Sequence, residues 1–213
     1  MRYHNRAEAG RILAAELDAY AGRPDVVVLA LPRGGLPVAA EVASALGAPL
    51  DVFVVRKLGV PGHEELAMGA IASGGVRVLN EDVVRGLQLP DEIIESVSAH
   101  EQAELERRER LYRGERPLIN LQGKAVIVVD DGLATGATMR AAVAALRQMG
   151  PQRIVVAVPV GSVDIVDQMR SVADEVICLY TPEPFRAVGL WYSDFSQTTD
   201  QEVRDLLSRK TIA

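Results

Sequence analysis

The sequence predicts an α/β fold, a Rossmann-like parallel sheet flanked by helices. Three observations carry that expectation. Residues 26–31 form an unbroken apolar run that opens with three valines, as in a strand buried on both faces. A glycine-rich turn, a helix-compatible stretch and a second apolar run at 51–55 follow, which completes one βαβ unit. The same order of strand, loop, helix and strand returns across 125–159. The chain has 213 residues, 48% hydrophobic and 24% charged, enough to bury a core without a disulfide or a metal.

Asn5 opens a first helix expected over 6–20, with Glu8 three residues on as in a capping box. Ile12, Leu13, Leu17 and Tyr20 fall on one apolar face. Gly22 and Pro24 end that helix ahead of the first strand. Pro32-Arg33-Gly34-Gly35 reads as a turn, 37–46 as a helix stopped by Gly47, and 51–55 as a second buried strand. Residues 56–65 leave that strand as a loop; within it 59–65 are rich in turn formers and poor in apolar anchors, and read as an ordinary surface loop or as a mobile lid. Gly74-Gly75 lies between apolar runs at 67–72 and 76–79, a hairpin pattern. After Pro90 the pattern is helical from 91 to 113. Residues 101–116 hold five Glu and five Arg, with Glu104–Arg108, Glu106–Arg110 and Glu109–Arg113 in the favourable i,i+4 order. Such a face is solvated, or else serves a dimer contact or a lid. Strands at 125–129, 154–159 and 175–180 then alternate with helices at 139–149 and 164–170. In parallel sheets ligands bind beyond the carboxyl ends of the strands, so the loops at 32–35, 56–65 and 130–138 are the candidates for a site.

The net charge of −6 disfavours non-specific binding to nucleic acid or to an anionic membrane. No apolar run approaches the length of a membrane span, and residues 1–6 lead into a charged amphipathic pattern without a signal-peptide core. The single cysteine, Cys178, excludes an internal disulfide and a cysteine-cluster zinc site, and it falls in an expected strand. The expectation is a soluble, cytoplasmic protein.

The chemistry concentrates after the apolar run Val126-Ile127-Val128-Val129. There follow Asp130-Asp131-Gly132-Leu133-Ala134-Thr135-Gly136-Ala137-Thr138. A buried strand thus delivers two adjacent carboxylates, and a loop of small and hydroxyl residues then opens a helix. Backbone N–H groups and the dipole at a helix start favour a phosphate. Two carboxylates beside a phosphate site make sense if they face ribose hydroxyls, or a divalent cation bound to the same ligand. The segment therefore fits a sugar phosphate. It lacks the Gly-Lys-Ser/Thr of a Walker loop and the GxGxxG of a dinucleotide site.

This string resembles the phosphoribosyl-pyrophosphate (PRPP) motif of the type I phosphoribosyltransferase family, and the chain is similar to its stand-alone bacterial members. The resemblance implies one phosphoribosyltransferase domain over 1–213: a core at about 1–180, an insertion at about 58–116, and a small C-terminal hood at about 181–199. It implies that Asp130 and Asp131 hold the ribose hydroxyls and, indirectly, a Mg²⁺ carried mainly by PRPP. Ala134, Thr135, Gly136, Ala137 and Thr138 would hold the 5′-phosphate. Arg33, Gly34 and Gly35 match the pyrophosphate loop, and Arg56-Lys57 the basic pair that opens the mobile catalytic loop. Gly132 stands where the family often has an aliphatic residue, and Ala137 where a second glycine is common; neither removes a donor side chain. Five of the nine aromatic residues, Tyr180, Phe185, Trp191, Tyr192 and Phe195, fall in or beside the implied hood. Phe185 and Val188 are its candidates for contact with a base, stacking on an aromatic being worth roughly 1–3 kcal/mol per base.

The implied reaction transfers the 5-phosphoribosyl group of PRPP to a nitrogenous base with release of pyrophosphate. Charge would develop on the ribose as in glycoside cleavage, stabilised by Asp130 and Asp131, while Lys57 and Mg²⁺ would stabilise the leaving pyrophosphate. His63 or Glu64 offers acid–base help. The partners implied are PRPP, a nucleobase or related acceptor, and a second copy of the chain in a homodimer. The alternative is a regulatory protein that senses PRPP or a nucleotide without turnover, since one fold hosts both.

Overall fold

A computed structural model describes residues 2–209; Met1 and residues 210–213 of the expected domain lie outside the described residues. The chain runs α1 (Arg6–Ala15), β1 (Val26–Ala30), α2 (Gly35–Leu46), β2 (Leu50–Val52), β3 (Val55–Val60), β4 (His63–Ala72), β5 (Val76–Leu79), α3 (Glu81–Gly86), α4 (Asp91–Arg113), β6 (Ala125–Val129), α5 (Ala137–Gln148), β7 (Arg153–Val160), α6 (Val163–Arg170), β8 (Glu175–Tyr180) and α7 (Asp200–Arg209). Short 3₁₀ turns occupy Asp18–Tyr20 and Val188–Trp191.

The main sheet is parallel, in the order β2-β1-β6-β7-β8. Every residue of β1 and β6 is buried, which is why both segments are apolar at every position. Each fully buried Val or Ile contributes about 1.5–3 kcal/mol relative to exposure. β6 is the central strand. It pairs with β1 from Val26↔Ala125 to Ala30↔Val129, so the two strands end level and the loops leaving them emerge side by side. That register is what brings the glycine turn after β1 to the acid pair after β6.

The first helix is shorter than the expected 6–20; of its expected face Leu13, Leu17 and Tyr20 are buried and Ile12 is not. Asn5 caps it, accepting from the Glu8 N–H at 2.9 Å, and Glu8 accepts in return from the His4 N–H. Ile12 is 37% exposed, whereas Ala9, Leu13, Ala14 and Leu17 are buried. The reason is close packing on α2: a Cβ on Gly10 would strike the Val38 carbonyl, so the contact stripe centres on Gly10.

The expected strand at 51–55 serves two sheets. β2 stops at Val52, and Val55 opens β3 of a separate antiparallel sheet ordered β3-β4-β5. Phe53 N–H still donates to Ala30 O, but Val54 N–H donates to Ser73 Oγ, so the chain crosses between sheets there. The loop expected at 56–65 is therefore corrected: β3 and β4 are paired strands joined at Pro61-Gly62, with Gly62 at φ +79°. Leu58 and Val60 are buried and Lys57 is exposed, a strand alternation that the turn formers around it obscured. The expected hairpin at Gly74-Gly75 is present, with φ +83° and +74°.

α4 occupies the residues expected of it, but it is more than a solvated face. Ile94, Ser98, Leu105, Tyr112 and Arg113 are buried along it. Glu104–Arg108 and Glu109–Arg113 pair at 2.8 and 2.7 Å, while Glu106 accepts from Gln102. The unforeseen α7 packs against α4 and α2 through Val203 and Leu207. Cys178 is half-buried in β8, and burial pushes its thiol up to about 11. Among the described residues, no helix is long and apolar enough to cross a membrane.

Candidate active site

The acid pair sits at the carboxyl end of β6. Asp130 Oδ1 accepts from the Asp131 N–H at 2.8 Å, which fixes the first carboxylate over its own turn. Asp130 keeps some exposed surface, yet dense packing around its carboxyl raises its pKa well above the ordinary range, and the Asp131 charge adds to the rise. Burial also raises Asp131, against the pull of the Arg6 guanidinium. Burial thus disfavours the charged form of both carboxylates, the kind of perturbation that clusters at functional sites.

The glycine turn closes on this pair. A Cβ on Gly34 would overlap Asp131 Oδ2, and a Cβ on Gly35 would come within 2.6 Å of Val129 O and 2.9 Å of Asp130 Cα. Both positions are glycine because the acids occupy the side-chain space. Gly34→Ala should therefore push Asp131 aside and cost more than tenfold in PRPP affinity, about 1.4 kcal/mol or more. Calorimetric titration checks it; an unchanged affinity would refute the contact.

The phosphate loop follows. Gly136 adopts φ +67° at the start of α5, where a Cβ would also meet Ile165 Cγ2 at 2.6 Å. Ala134, Thr135, Ala137 and Thr138 are exposed around it, so the loop is an open cradle at a helix N-terminus. Arg140 braces the loop from α5, donating to Thr135 O at 3.1 Å. The glycine at 132 has a local cause: a Cβ there would fall 2.7 Å from Val188 Cγ1. Val188 thus caps the acid turn from the hood.

The basic residues are not gathered at the acids. Arg33 lies 3.8 Å from Asp200 Oδ1, whose other contact is the Tyr112 hydroxyl at 2.9 Å. Arg56 pairs with Glu101 of α4 at 2.7 Å, and Lys57 lies 3.7 Å from Glu65. His63 and Glu64 are exposed at the tip of the β3–β4 hairpin. Phe185 lines a cavity of about 580 Å³ with Ser162, Val163, Asp164, Pro182, Glu183 and Pro184, beyond the ends of β7 and β8.

Three residues at the site were not singled out for it from the sequence. Arg6 donates from Nε to Asp131 Oδ2 at 2.8 Å. Tyr192 donates from its hydroxyl to Asp131 O at 2.7 Å, and burial raises its pKa. Phe195 lies under the Arg6 guanidinium, 3.9 Å from ring centroid to guanidinium carbon. The sequence signal for Tyr192 and Phe195 is the aromatic cluster of the hood; Arg6 has none, because Arg6 and Tyr192 reach Asp131 across more than sixty residues of chain.

Among the described residues, no group of three or more His, Cys, Asp or Glu side chains could hold a metal ion. The donors present are two adjacent carboxylates, one of them engaged by Arg6. That set fits an ion whose remaining ligands come from a bound polyphosphate, not a resident metal centre.

The acid pair thus ends the central strand of a parallel α/β sheet, beside a glycine turn and an open loop at a helix start. The family model of the phosphoribosyl transferase domain matches residues 2–181, and the chain belongs to that family. It is 52% identical over 207 residues to Mycobacterium tuberculosis proteins of two strains whose curated name assigns them provisionally to the phosphoribosyl transferases. The match covers 97% of this chain but 46% of theirs, so the chain spans about half the length of these curated relatives. The crystal structure of TT1426 from Thermus thermophilus is similar at 43% identity and a TM-score of 0.89, covering 99% of both chains. AQ2163 from Aquifex aeolicus shares the fold at 13% identity and a TM-score of 0.54, covering 95% of this chain and 84% of that one.

Proposed function

We propose that the protein transfers the 5-phosphoribosyl group of PRPP to a nitrogenous base and releases pyrophosphate. The observation that carries this reading is the contact of the Asp130–Asp131 pair with the backbone of Gly34 and Gly35. It puts the paired acids directly beside the glycine turn, which supports reading them as neighbouring ribose and pyrophosphate subsites. In this reading Asp130 and Asp131 hold the ribose hydroxyls and offset the positive charge that develops at C1′. The loop from Ala134 to Thr138 takes the 5′-phosphate. Arg33, with the Gly34 and Gly35 backbone, takes the pyrophosphate, and Arg56 and Lys57 reach it after leaving Glu101 and Glu65. The base enters at the cavity beside Phe185, and Val188, packed on Gly132 of the acid turn, contacts it from the hood. Mg²⁺, held mainly by PRPP and facing Asp130 and Asp131, would neutralise the pyrophosphate and improve it as a leaving group. The reading extends to a cytoplasmic homodimer.

A second reading, PRPP sensing without turnover, is favoured by one observation. Arg56 and Lys57 stand on a paired strand, and Arg56 is anchored on α4 rather than free in a loop.

Thermal unfolding with and without Mg²⁺ and PRPP tests the common part. At about 100 times Kd, binding adds roughly 2.7 kcal/mol, a rise of about 5–10 °C for a chain of this size. Wild type should show that rise and Asp130→Asn/Asp131→Asn should not. No rise in wild type would sink the reading. Pyrophosphate release across a panel of bases then separates the two: release with some base supports transfer, and binding without release supports sensing.

A further inference from the structure

We infer that Arg6 is a positioning residue of the phosphoribosyl site: it fixes one oxygen of Asp131 from the hood side, so that the other meets the ribose. The inference rests on the phosphoribosyl reading above. Arg6 is the first residue of α1, held there by the Asn5 cap. Its Nε donates to Asp131 Oδ2 at 2.8 Å, and its Nη1 donates to Ser196 O at 2.8 Å. Its guanidinium lies over the Phe195 ring at 3.9 Å, with the Tyr192 ring 5.9 Å away. Tyr192 and Phe195 stack on each other at 5.2 Å, and the Tyr192 hydroxyl donates to the Asp131 carbonyl. Asp131 Oδ1 accepts from no other side chain among the described hydrogen bonds, and in this reading it faces the ribose.

Two features argue against a salt bridge that only fastens the chain. The hood is already docked by backbone bonds, Tyr3 N–H to Trp191 O, Ser193 N–H to Tyr3 O and Asp194 N–H to His4 O, and by the Tyr3 hydroxyl on Pro159 O at 2.8 Å. Fastening does not need Arg6. The pair is also far from an ordinary surface contact, with side-chain exposures of 11% and 15% and three groups converging on one guanidinium. A planar fork on an aromatic ring orients its partner in a way a lysine ammonium does not. Arg6 therefore joins the acid that reads the ribose to the segment that would cover the acceptor.

The test uses three probes chosen for what each presents, titrated calorimetrically at fixed pH and Mg²⁺. Ribose 5-phosphate offers hydroxyls and 5′-phosphate; pyrophosphate offers neither; PRPP offers all. Loss of a hydrogen bond to a charged group is worth tenfold or more in affinity, about 1.5–3 kcal/mol. Arg6→Met should weaken PRPP and ribose 5-phosphate by at least that factor and leave pyrophosphate binding as in wild type. Arg6→Lys should recover part of the loss and guards against a folding defect in Arg6→Met. Equal weakening of all three probes would overturn the inference in favour of general disorder of the site. Unchanged ribose 5-phosphate binding would overturn it as well, and tighter binding would make Arg6 a plug that the ligand must displace. If wild type bound neither PRPP nor ribose 5-phosphate, the phosphoribosyl reading itself would fall.

Discussion

Arg113→Met should lower stability by about 3–5 kcal/mol, because it strands a buried carboxylate. Arg113, at the end of α4, has a side chain only 5% exposed, and Asp51 on β2 only 6%. Arg113 Nε lies 3.2 Å from Asp51 Oδ1 without hydrogen-bond alignment, so their attraction is ionic. Arg113 Nη2 donates to Glu109 at 2.7 Å and to Ser73 Oγ at 3.1 Å, and Ser73 Oγ in turn accepts from the Val54 N–H. One guanidinium thus ties α4 to the edge of the main sheet and to the crossing into the small one. Even with Arg113 present, burial raises the Asp51 pKa above its ordinary value. The sign follows from that direction. A carboxyl with a raised folded pKa costs nothing while protonated, below its unfolded pKa near 3.9, and costs progressively more as pH rises. The loss in Arg113→Met should therefore be larger at pH 8 than near pH 4, and correspond to a fall of roughly 6–20 °C in Tm at the higher pH. Denaturant melts of Arg113→Met and of Asp51→Leu/Arg113→Met decide the matter. The double variant should recover most of the loss, and equal losses in both would show that α4 is held by packing alone.

Asp130→Asn should do the opposite, stabilising the apo protein while abolishing its response to PRPP. The Asp130 carboxyl is driven up by burial first and by Asp131 second. Its ionisation therefore opposes folding above its unfolded pKa, and the penalty grows until pH passes the folded value. Asparagine keeps the acceptor for the Asp131 N–H and removes the charge. The gain at pH 7.5 should be on the order of 1–3 kcal/mol, the scale of an uncompensated buried polar group, and should vanish toward pH 4. In the phosphoribosyl reading the same change removes the charge that faces ribose and Mg²⁺, so the PRPP-induced rise in Tm should disappear. Stability traded for a poised site is the pattern expected of functional carboxylates. A variant no more stable than wild type at pH 7.5 would show that the acid pair is not strained.

Much of this was legible in the sequence because it is local. The apolar strings of β6 and β8 and the helical pattern of α4 gave their bounds to the residue. The acid pair and the phosphate cradle were visible because strand, loop and helix start lie within about a dozen consecutive positions. What was missed depends on partners distant in the chain. The apolar run at 51–55 looks like one strand, and only the Ser73 hydroxyl at its far side divides it between two sheets. Residues 56–65 carry Gly59, Pro61 and Gly62, which read as loop; yet Gly59 is there because the Glu64 backbone crosses at a distance that leaves no room for a Cβ. α7 has polar residues at most positions and buries only the stripe that meets α2 and α4. Arg6 sits in an ordinary charged helix start, and nothing nearby in sequence indicates that it reaches Asp131.

The link between Arg6 and the hood also sets an order of assembly. Arg6 and Ser196 are 190 residues apart, and Arg6 and Asp131 are 125 apart. At about 5–20 residues per second of synthesis, roughly 10–40 s separate the emergence of α1 from that of the segment that clasps it. The β2-β1-β6 part of the sheet, which carries the acids, can form before then, whereas β8 ends only 16 residues ahead of Ser196. Long-range closure of this kind is slow relative to helix and hairpin formation. The contact that closes the acid turn therefore forms only once two segments 190 residues apart in sequence have both been made.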